Sequence, residues 1–529
     1  MNHSLLRLFF ALSLVAISGG AAVGFWSTSA EPSNSTVAIV EEAAPAFFRI
    51  KVIDDQTQRG VPMVELRMVD GTKYYTDSAG VIAFYEPGLM DTDVFFFIES
   101  HGYEYPADYF GYRGLKLSIT EGGNAIVQLP RINIAERLYR ITGTGIYRDS
   151  RLLGDHVPIA KPFINGLVAG QDSALAVEHN DKLYWIWGDT SRPSYPLGNF
   201  KASGATSKLP ANGGLDPADG IDLTYWVDAN GFSREMAPVA GTGVVWLGGM
   251  QTAPDGGGTE RLFAYFMRLA GLGSPLEQGL VLWNESTEVF EEVSNIPLDE
   301  TLHPHGSAPF KHVDSGVEYL YFANPLPNLR VKAELALMDQ PDQFEGYTPM
   351  AAGTRFHGAA TQLERNPISG ALVWAWKANT PPISHAQQDQ LINAGLMARS
   401  ESPYRLKDFD SGNVLLEHNG TVAWNDYRQK WIMVFGVSFG SSFLGEIYIA
   451  ESDHIEGPWV HARKIVTHNE YSFYNVAQRS FFDQAGGRII YFEGTYTMMF
   501  SGSEIPTPRY NYNQIMYRLD LSNPDLTQP

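Results

Sequence analysis

The sequence predicts an all-β chain in which a small β-sandwich is followed by a five-bladed β-propeller. Three observations lead there. Helical periodicity is nearly absent. Alternating apolar and polar runs are broken every few residues by Gly, Pro, Asn or Asp, the punctuation of short antiparallel strands. From about residue 140 onward the strands fall into five groups of two to four. Each group opens on a strand rich in small residues and turns into a more aromatic one, the order expected where inner strands crowd around an axis. A β-sandwich or jelly roll is the alternative that the same pattern allows.

The N-terminal stretch places Arg7 before an apolar run from Leu8 to Ile17, followed by small residues. This charge, apolar, small order is that of an export signal, expected over 1–30 and read as cleaved, with an uncleaved anchor as the other outcome. Ser18, Gly19 and Gly20 interrupt the apolar run, and no later stretch is apolar enough to span a membrane. Residues 31–46 read as a linker. Secreted or periplasmic location, with no stable membrane insertion after cleavage, is the expectation.

Residues 47–135 alternate at short spacing, as in FFRIKVID, and read as the sandwich. Gly60-Val61-Pro62 together with Thr76-Asp77-Ser78-Ala79-Gly80 resembles the transthyretin-like carboxypeptidase-regulatory domain, where an Asp–Gly turn closes a hairpin. That resemblance implies an accessory role. Residues 139–522 are read as the propeller, with YRITGTGIYRD (139–149) as the strand that completes the last blade. One helix is expected, in 383–400.

Composition narrows the function. Of 529 residues, 44% are hydrophobic and only 18% charged, which excludes a disordered acidic chain. The net charge of −21 disfavours a nucleic-acid partner and makes a strongly anionic polymer a less natural substrate. With no cysteine, disulfides, thiolate catalysis and cysteine-bound zinc are ruled out. Aromatic residues reach 12%, which suits β-rich cores and stacking on sugars alike.

The first propeller group carries the best acid pair. In AGQDSALAVEHNDKLYWIWGDTSRP, Asp172 precedes one strand and Asp189 ends the next, and the tight Asn180-Asp181 turn brings those ends together. Taken singly, each is as readily a turn-capping residue. Together, flanked by Gly170, Gly188 and Arg192, they are candidate catalytic groups. Glu493, after the strand Ile489–Phe492, is a third candidate acid or else a strand-end residue paired with Arg488. His303 and His305, Arg355 and His357, His418 and Asn419, and Tyr474, Asn475, Gln478 and Arg479 stand at or near blade openings and are candidate substrate contacts.

Gly170-x-Asp172-Ser173, the aromatic strand and Trp187-Gly188-Asp189-Thr190 resemble the first blade of five-bladed β-propeller glycoside hydrolases, the arabinanase-type enzymes and in particular secreted bacterial endo-D-arabinanases. Ser452-x4-Gly457-Pro458-Trp459 is similar to an outer-strand pattern of the same propellers. The match is specific over roughly 165–195, and the other blades follow only in outline. The resemblance implies cleavage of a polysaccharide or oligosaccharide by an acid and a base, by an inverting route, with Asp172 and Asp189 as those acids. No third acid is placed by motif. Two other readings keep the fold: a polysaccharide lyase using His303, His357, Tyr474 and Arg479, and a non-catalytic glycan-binding propeller. No metal or other cofactor is required by the motifs. His303-x-His305 is too short a ligand set for a metal site, and a structural calcium ion in the channel is compatible with the fold.

Overall fold

The structure, a computed structural model, describes residues 46–526 apart from Phe200, Leu272, His305 and Ser307. The expected signal segment, nearly all of the linker, and His305 therefore lie outside the described residues. What is described is all-β: a small sandwich followed by a five-bladed propeller, as the sequence predicts.

The sandwich faces a three-stranded sheet, containing Phe48–Asp54, Val81–Phe84 and Asn124–Leu129, with a four-stranded one containing Glu65–Met68, Lys73–Tyr75, Asp93–Glu99 and Gly114–Ser118. Alternate residues of each strand point inward, and Ile50, Val52, Leu66, Phe84, Phe96 and Val127 share one core. The Asp77–Gly80 stretch is a turn, as read. Asp77 Oδ1 accepts the Ala79 and Val81 amides at 3.0 and 3.2 Å, and Gly80 sits at φ 75°. A side chain at Gly60 would meet the Ala79 carbonyl at 1.9 Å, so glycine is required where the two turns touch.

The propeller blades have inner strands Leu175–His179, Val244–Pro254, Ala308–Asp314, Glu417–Asn425 and Ser472–Gln478, and each is an edge strand of a sheet of four or five. Successive inner strands lie beside one another. The period of two sends alternate residues of the second strands to opposite faces, so each blade feeds two cores. Leu183, Trp185 and Trp187 pack toward blade 5, Tyr184 and Ile186 toward blade 2. Phe263 and Tyr265 pack toward blade 3, and Met433 and Phe435 face back toward it from blade 4. Ile432 and Val434 pack toward blade 5. Five apolar cores thus fill the five spaces between blades.

The ring is closed by the strand Glu136–Arg140, which comes from the N-terminal side of the propeller yet pairs antiparallel with Asn513–Asp520 as the outer strand of blade 5. The expected closing segment, 139–149, overlaps it by two residues only. Beyond Arg140 the chain leaves the sheet and forms a short helix, Arg148–Leu152. The same closing strand holds the sandwich. Arg137 donates to the carbonyls of Pro62 and His101 at 3.1 and 3.0 Å and to Ser100 Oγ at 2.5 Å. Tyr510 donates to the Thr76 carbonyl at 2.6 Å, and Asp77 Oδ2 accepts the Ser150 amide at 2.7 Å.

The one expected helix is present as His385–Asn393, capped by Ser384 with Gln387 completing a capping box. It belongs to a long excursion between Thr348 and Tyr404, which has a small core of its own around Met350, Leu372, Ile383, Leu391 and Met397.

At the junction of sandwich and propeller lie two imidazoles, His468 fully buried and His101 largely enclosed. His101 Nε2 is 3.0 Å from the Tyr496 hydroxyl, and His468 Nε2 is 2.7 Å from that of Tyr517. Burial, with the Arg137 charge adding to it, lowers His101 to about 3, and burial likewise takes His468 well below its ordinary value. Both are neutral in the fold but protonate near pH 6.5 once unfolded. Their contribution to stability is complete above about 6.5 and is lost as pH falls below it. Thermal unfolding of the His101→Gln variant is therefore expected to depend less on pH between about 7.5 and 4.5 than that of the wild type; equal slopes would contradict this.

Candidate active site

Asp172 and Asp189 are brought together by strand register. Leu175 pairs with Ile186 and His179 with Lys182 around the Asn180-Asp181 turn, where both residues have positive φ. Beyond a short break the same register resumes, with Gln171 opposite Thr190 and Gly170 opposite Ser191. Asp172 and Asp189 are the residues that this register sets across from one another. Within the break Ser173 sits at φ 58°, and the Gly188 amide donates to the Asp172 carbonyl at 3.0 Å. Gly188 leaves room for the carboxyl, because a Cβ there would lie 2.7 Å from Asp172 Oδ1 and would have to displace it.

Each acid is held from a neighbouring blade. Asp172 Oδ2 accepts the Tyr474 hydroxyl of blade 5 at 2.7 Å, and Tyr512 also hydrogen-bonds this carboxyl. Asp189 Oδ1 accepts the indole N–H of Trp246 in blade 2 at 3.1 Å. Both acids are half-buried. Burial pushes Asp172 up to about 6 against the pull of Tyr474, and the charge of Asp189 adds to the rise. Burial also raises Asp189, opposed by Trp246. Burial thus disfavours the ionised form of both carboxyls, and more so for Asp172, which also faces the Asp189 charge.

Several inner strands are irregular near this rim. Register shifts fall between Gly248 and Gln251, between Glu417 and Gly420, and between Tyr474 and Ala477, where Asn475 has φ 53°. Such bulges re-aim side chains that a regular strand would bury or turn away. They allow an amide chain to run across three blades: Asn419 Nδ2 donates to Asn475 Oδ1, and Asn475 Nδ2 donates to Ser173 Oγ at 2.6 Å. Of the candidate contacts, Tyr474 and Asn475 thus stand at the acid pair. Arg192 follows Asp189 in the middle strand of a small three-stranded sheet and lies over the Phe232 ring at 5.2 Å. His418 is half-buried at the start of its strand, and burial lowers its pKa.

Others are elsewhere. Glu493 neither ends its strand nor faces the funnel. The strand runs from Ile489 to Thr497, and Glu493 is 1% exposed within it. Its partner is Arg479, at 2.5 Å, while Arg488 faces Asp520. Arg479 also donates to the Ala174 carbonyl at 2.8 Å and lies over Trp185, so this pair is sealed in the wall between blades 5 and 1. A carboxylate paired and buried in this way is a structural group. His357 is exposed on the excursion after blade 3, and His303 packs its ring 5.1 Å from that of Tyr265. The residues a lyase would need are thus dispersed, and Tyr474, raised well above its ordinary value by burial and by Asp172, is ill suited to act as a base.

Sequence reasoning missed Tyr512, Trp246 and Glu417. The first two act through contacts across blades that no local pattern records. Glu417 immediately precedes His418, and its place at the first position of an inner strand was available as a signal. Replacing Tyr474 by Phe removes a donor to the Asp172 carboxylate. The Asp172 pKa is expected to rise further, measured by carboxyl-carbon NMR titration; an unchanged or lower value would show that Tyr474 does not set it.

No family model matches the chain, and no curated protein matches it. Among solved structures, 73% of the chain aligns with 65% of the exo-β-1,3-galactanase of Phanerochaete chrysosporium, at 10% identity and a TM-score of 0.35. An α-L-arabinanase of Cellvibrio cellulosa, crystallised with arabinohexaose, aligns over 67% of this chain and 92% of its own, at 8% identity and a TM-score of 0.34. The endo-1,5-α-L-arabinanase of Thermotoga petrophila RKU-1 aligns over 66% and 70%, at 11% identity and a TM-score of 0.30. The blade count rests on the five sheets and the cores between them rather than on these likenesses.

Proposed function

We propose that the protein is an exported glycoside hydrolase that cleaves a polysaccharide at the Asp172–Asp189 pair. The observation that carries this reading is the register that sets the two acids opposite each other at the open end of an inner hairpin, each held by a donor from the next blade. Glycosidic cleavage needs a proton for the leaving oxygen and a carboxylate on the anomeric side. Asp172, pushed up to about 6, is the member suited to hold the proton, and Asp189 the member suited to act as base. Water activation by Asp189 gives inversion, which is also what the resemblance to arabinanase-type propellers implies. It calls for a carboxyl separation of roughly 6.5–9.5 Å with substrate bound. Tyr474 and Tyr512 orient Asp172, and Trp246 orients Asp189. Export is supported by Arg7 and the Leu8–Ile17 run, and the net charge of −21 favours a neutral polymer over an anionic one.

The test is a screen of the mature protein against neutral plant, algal and mycobacterial polysaccharides, read as released reducing ends. Asp172→Asn and Asp189→Asn are each expected to lower kcat by about 10²- to 10⁴-fold on the polymer that is cut. Activity of the wild type is expected to fall as pH rises through about 6, where Asp172 gives up its proton. Proton NMR of the first product should show the inverted anomer. Unimpaired cleavage by both variants would exclude this pair. Binding without cleavage of any glycan would favour a lectin-like propeller, and a product absorbing as an unsaturated uronate would identify a lyase.

A further inference from the structure

A cavity of about 810 Å³ lies apart from the two aspartates, walled on one side by the excursion after blade 3 and on the other by the strand opening of blade 4 and loops of blades 2 and 3. Pockets that hold small ligands span about 300–1,000 Å³, so this one is large enough for more than a single sugar ring. The excursion contributes Arg355, Phe356, the Pro381–Pro382 pair and His385, and the propeller contributes Glu417.

These groups are already fixed before any ligand arrives. Arg355 donates to the Asn379 carbonyl at 2.7 Å and to its side-chain oxygen at 2.8 Å. His385 Nε2 is 3.1 Å from Glu417 Oε1, and the Glu417 side chain is 8% exposed. Its other oxygen, Oε2, has no hydrogen-bond partner among the described residues. A carboxylate oxygen buried without a donor is costly, and a ligand hydroxyl would supply that donor. The remaining lining mixes side-chain amides, Asn324, Asn328 and Gln387, with the flat apolar faces of Phe356 and the two prolines. Amides and carboxylates beside a ring face are the chemistry that recognises a polyhydroxylated ring. Asp299, Glu300 and Glu417 outnumber the Arg355 guanidinium, so a uronate is not favoured.

The cavity shares the acid pair's rim. Glu417 opens the inner strand of blade 4, and two residues on, Asn419 begins the amide chain through Asn475 to Ser173, beside Asp172. We propose that the excursion after blade 3 is a substrate-binding insertion, and that Glu417, Arg355 and Phe356 form a distal site for an uncharged stretch of the same glycan. This rests on the hydrolase reading for the identity of the ligand, though not for the existence of the site.

The test uses the mature full-length protein carrying Asp172→Asn and Asp189→Asn, which is not expected to cut its ligand. Its binding is read on an array of neutral, amino-sugar and uronate oligosaccharides from two to eight rings long. Binding to neutral oligomers that strengthens with length is expected. Adding Glu417→Gln or Phe356→Ala should weaken it at least about tenfold, and the partly exposed Arg355→Ala serves as the variant least able to disturb folding. In the otherwise wild-type enzyme the same changes should raise KM on long oligomers, with an effect that shrinks on short ones. Unaltered affinity and KM in Arg355→Ala and Glu417→Gln, preference for uronates, or no binding to any array member would overturn the proposal. If the aspartate variants remain active while cavity variants lose binding, the hydrolase reading falls and the distal site stands. If the aspartates prove essential and cavity variants match wild type at every length, the reverse holds.

Discussion

Everything on the propeller face depends on closure of the ring by Glu136–Arg140. Five interblade cores can each be filled only if every blade has a neighbour on both sides. Blade 5 obtains its outer strand, and with it Tyr139 and Leu138 for the core against blade 1, from the far end of the chain: Glu136 and Arg518, paired across this ladder, are 382 residues apart. That core also contains Trp185 and Trp187, the strand that leads to Asp189. The acid pair therefore sits directly on the seam. Its register, its glycine and the tyrosines that hold Asp172 come from the two blades that the closing strand joins.

The site is made by departures from regular sheet. Ser173, the step from Gly248 to Gln251, the step from Glu417 to Gly420, and Asn475 each break a ladder within or just before an inner strand. The regular remainder of each strand is rigid and packed, so the irregular ends are positioned without being absorbed into the core. Arg479 and Glu493 are the contrast. Glu493 lies within the regular second strand of blade 5 and Arg479 just past the end of its inner strand, and buried there a charge has to be neutralised by its neighbour.

Much of this is legible in residue order, and the limits have physical causes. The blade count, the hairpin that juxtaposes Asp172 and Asp189, the sandwich turn at Asp77–Gly80 and the helix near 383–400 all follow from period, turn chemistry and capping, which are local. Tyr474 and Asn475 can be found because they stand just before small residues in a segment that opens a blade. Glu493 is misplaced by sequence because a strand of nine residues reads as shorter when its second half is Gly-Thr-Tyr-Thr, and because burial of an acid with a distant arginine leaves no local mark. Trp246 and Tyr512 escape notice since their partners are remote: Trp246 lies 57 residues from Asp189, and Tyr512 reaches Asp172 across the seam. The excursion after blade 3 reads as one helix and, at Arg355 and His357, as a blade opening, since its wall-forming role depends on how it folds back over the next blade.

The closing strand also sets an order of events. Its partner, Asn513–Asp520, is made after every other described strand of the propeller, so no nascent chain that stops short of blade 5 can complete the ring. Until then the half-built blades expose strand edges and apolar faces, while the sandwich, with a core entirely its own, has no need to wait.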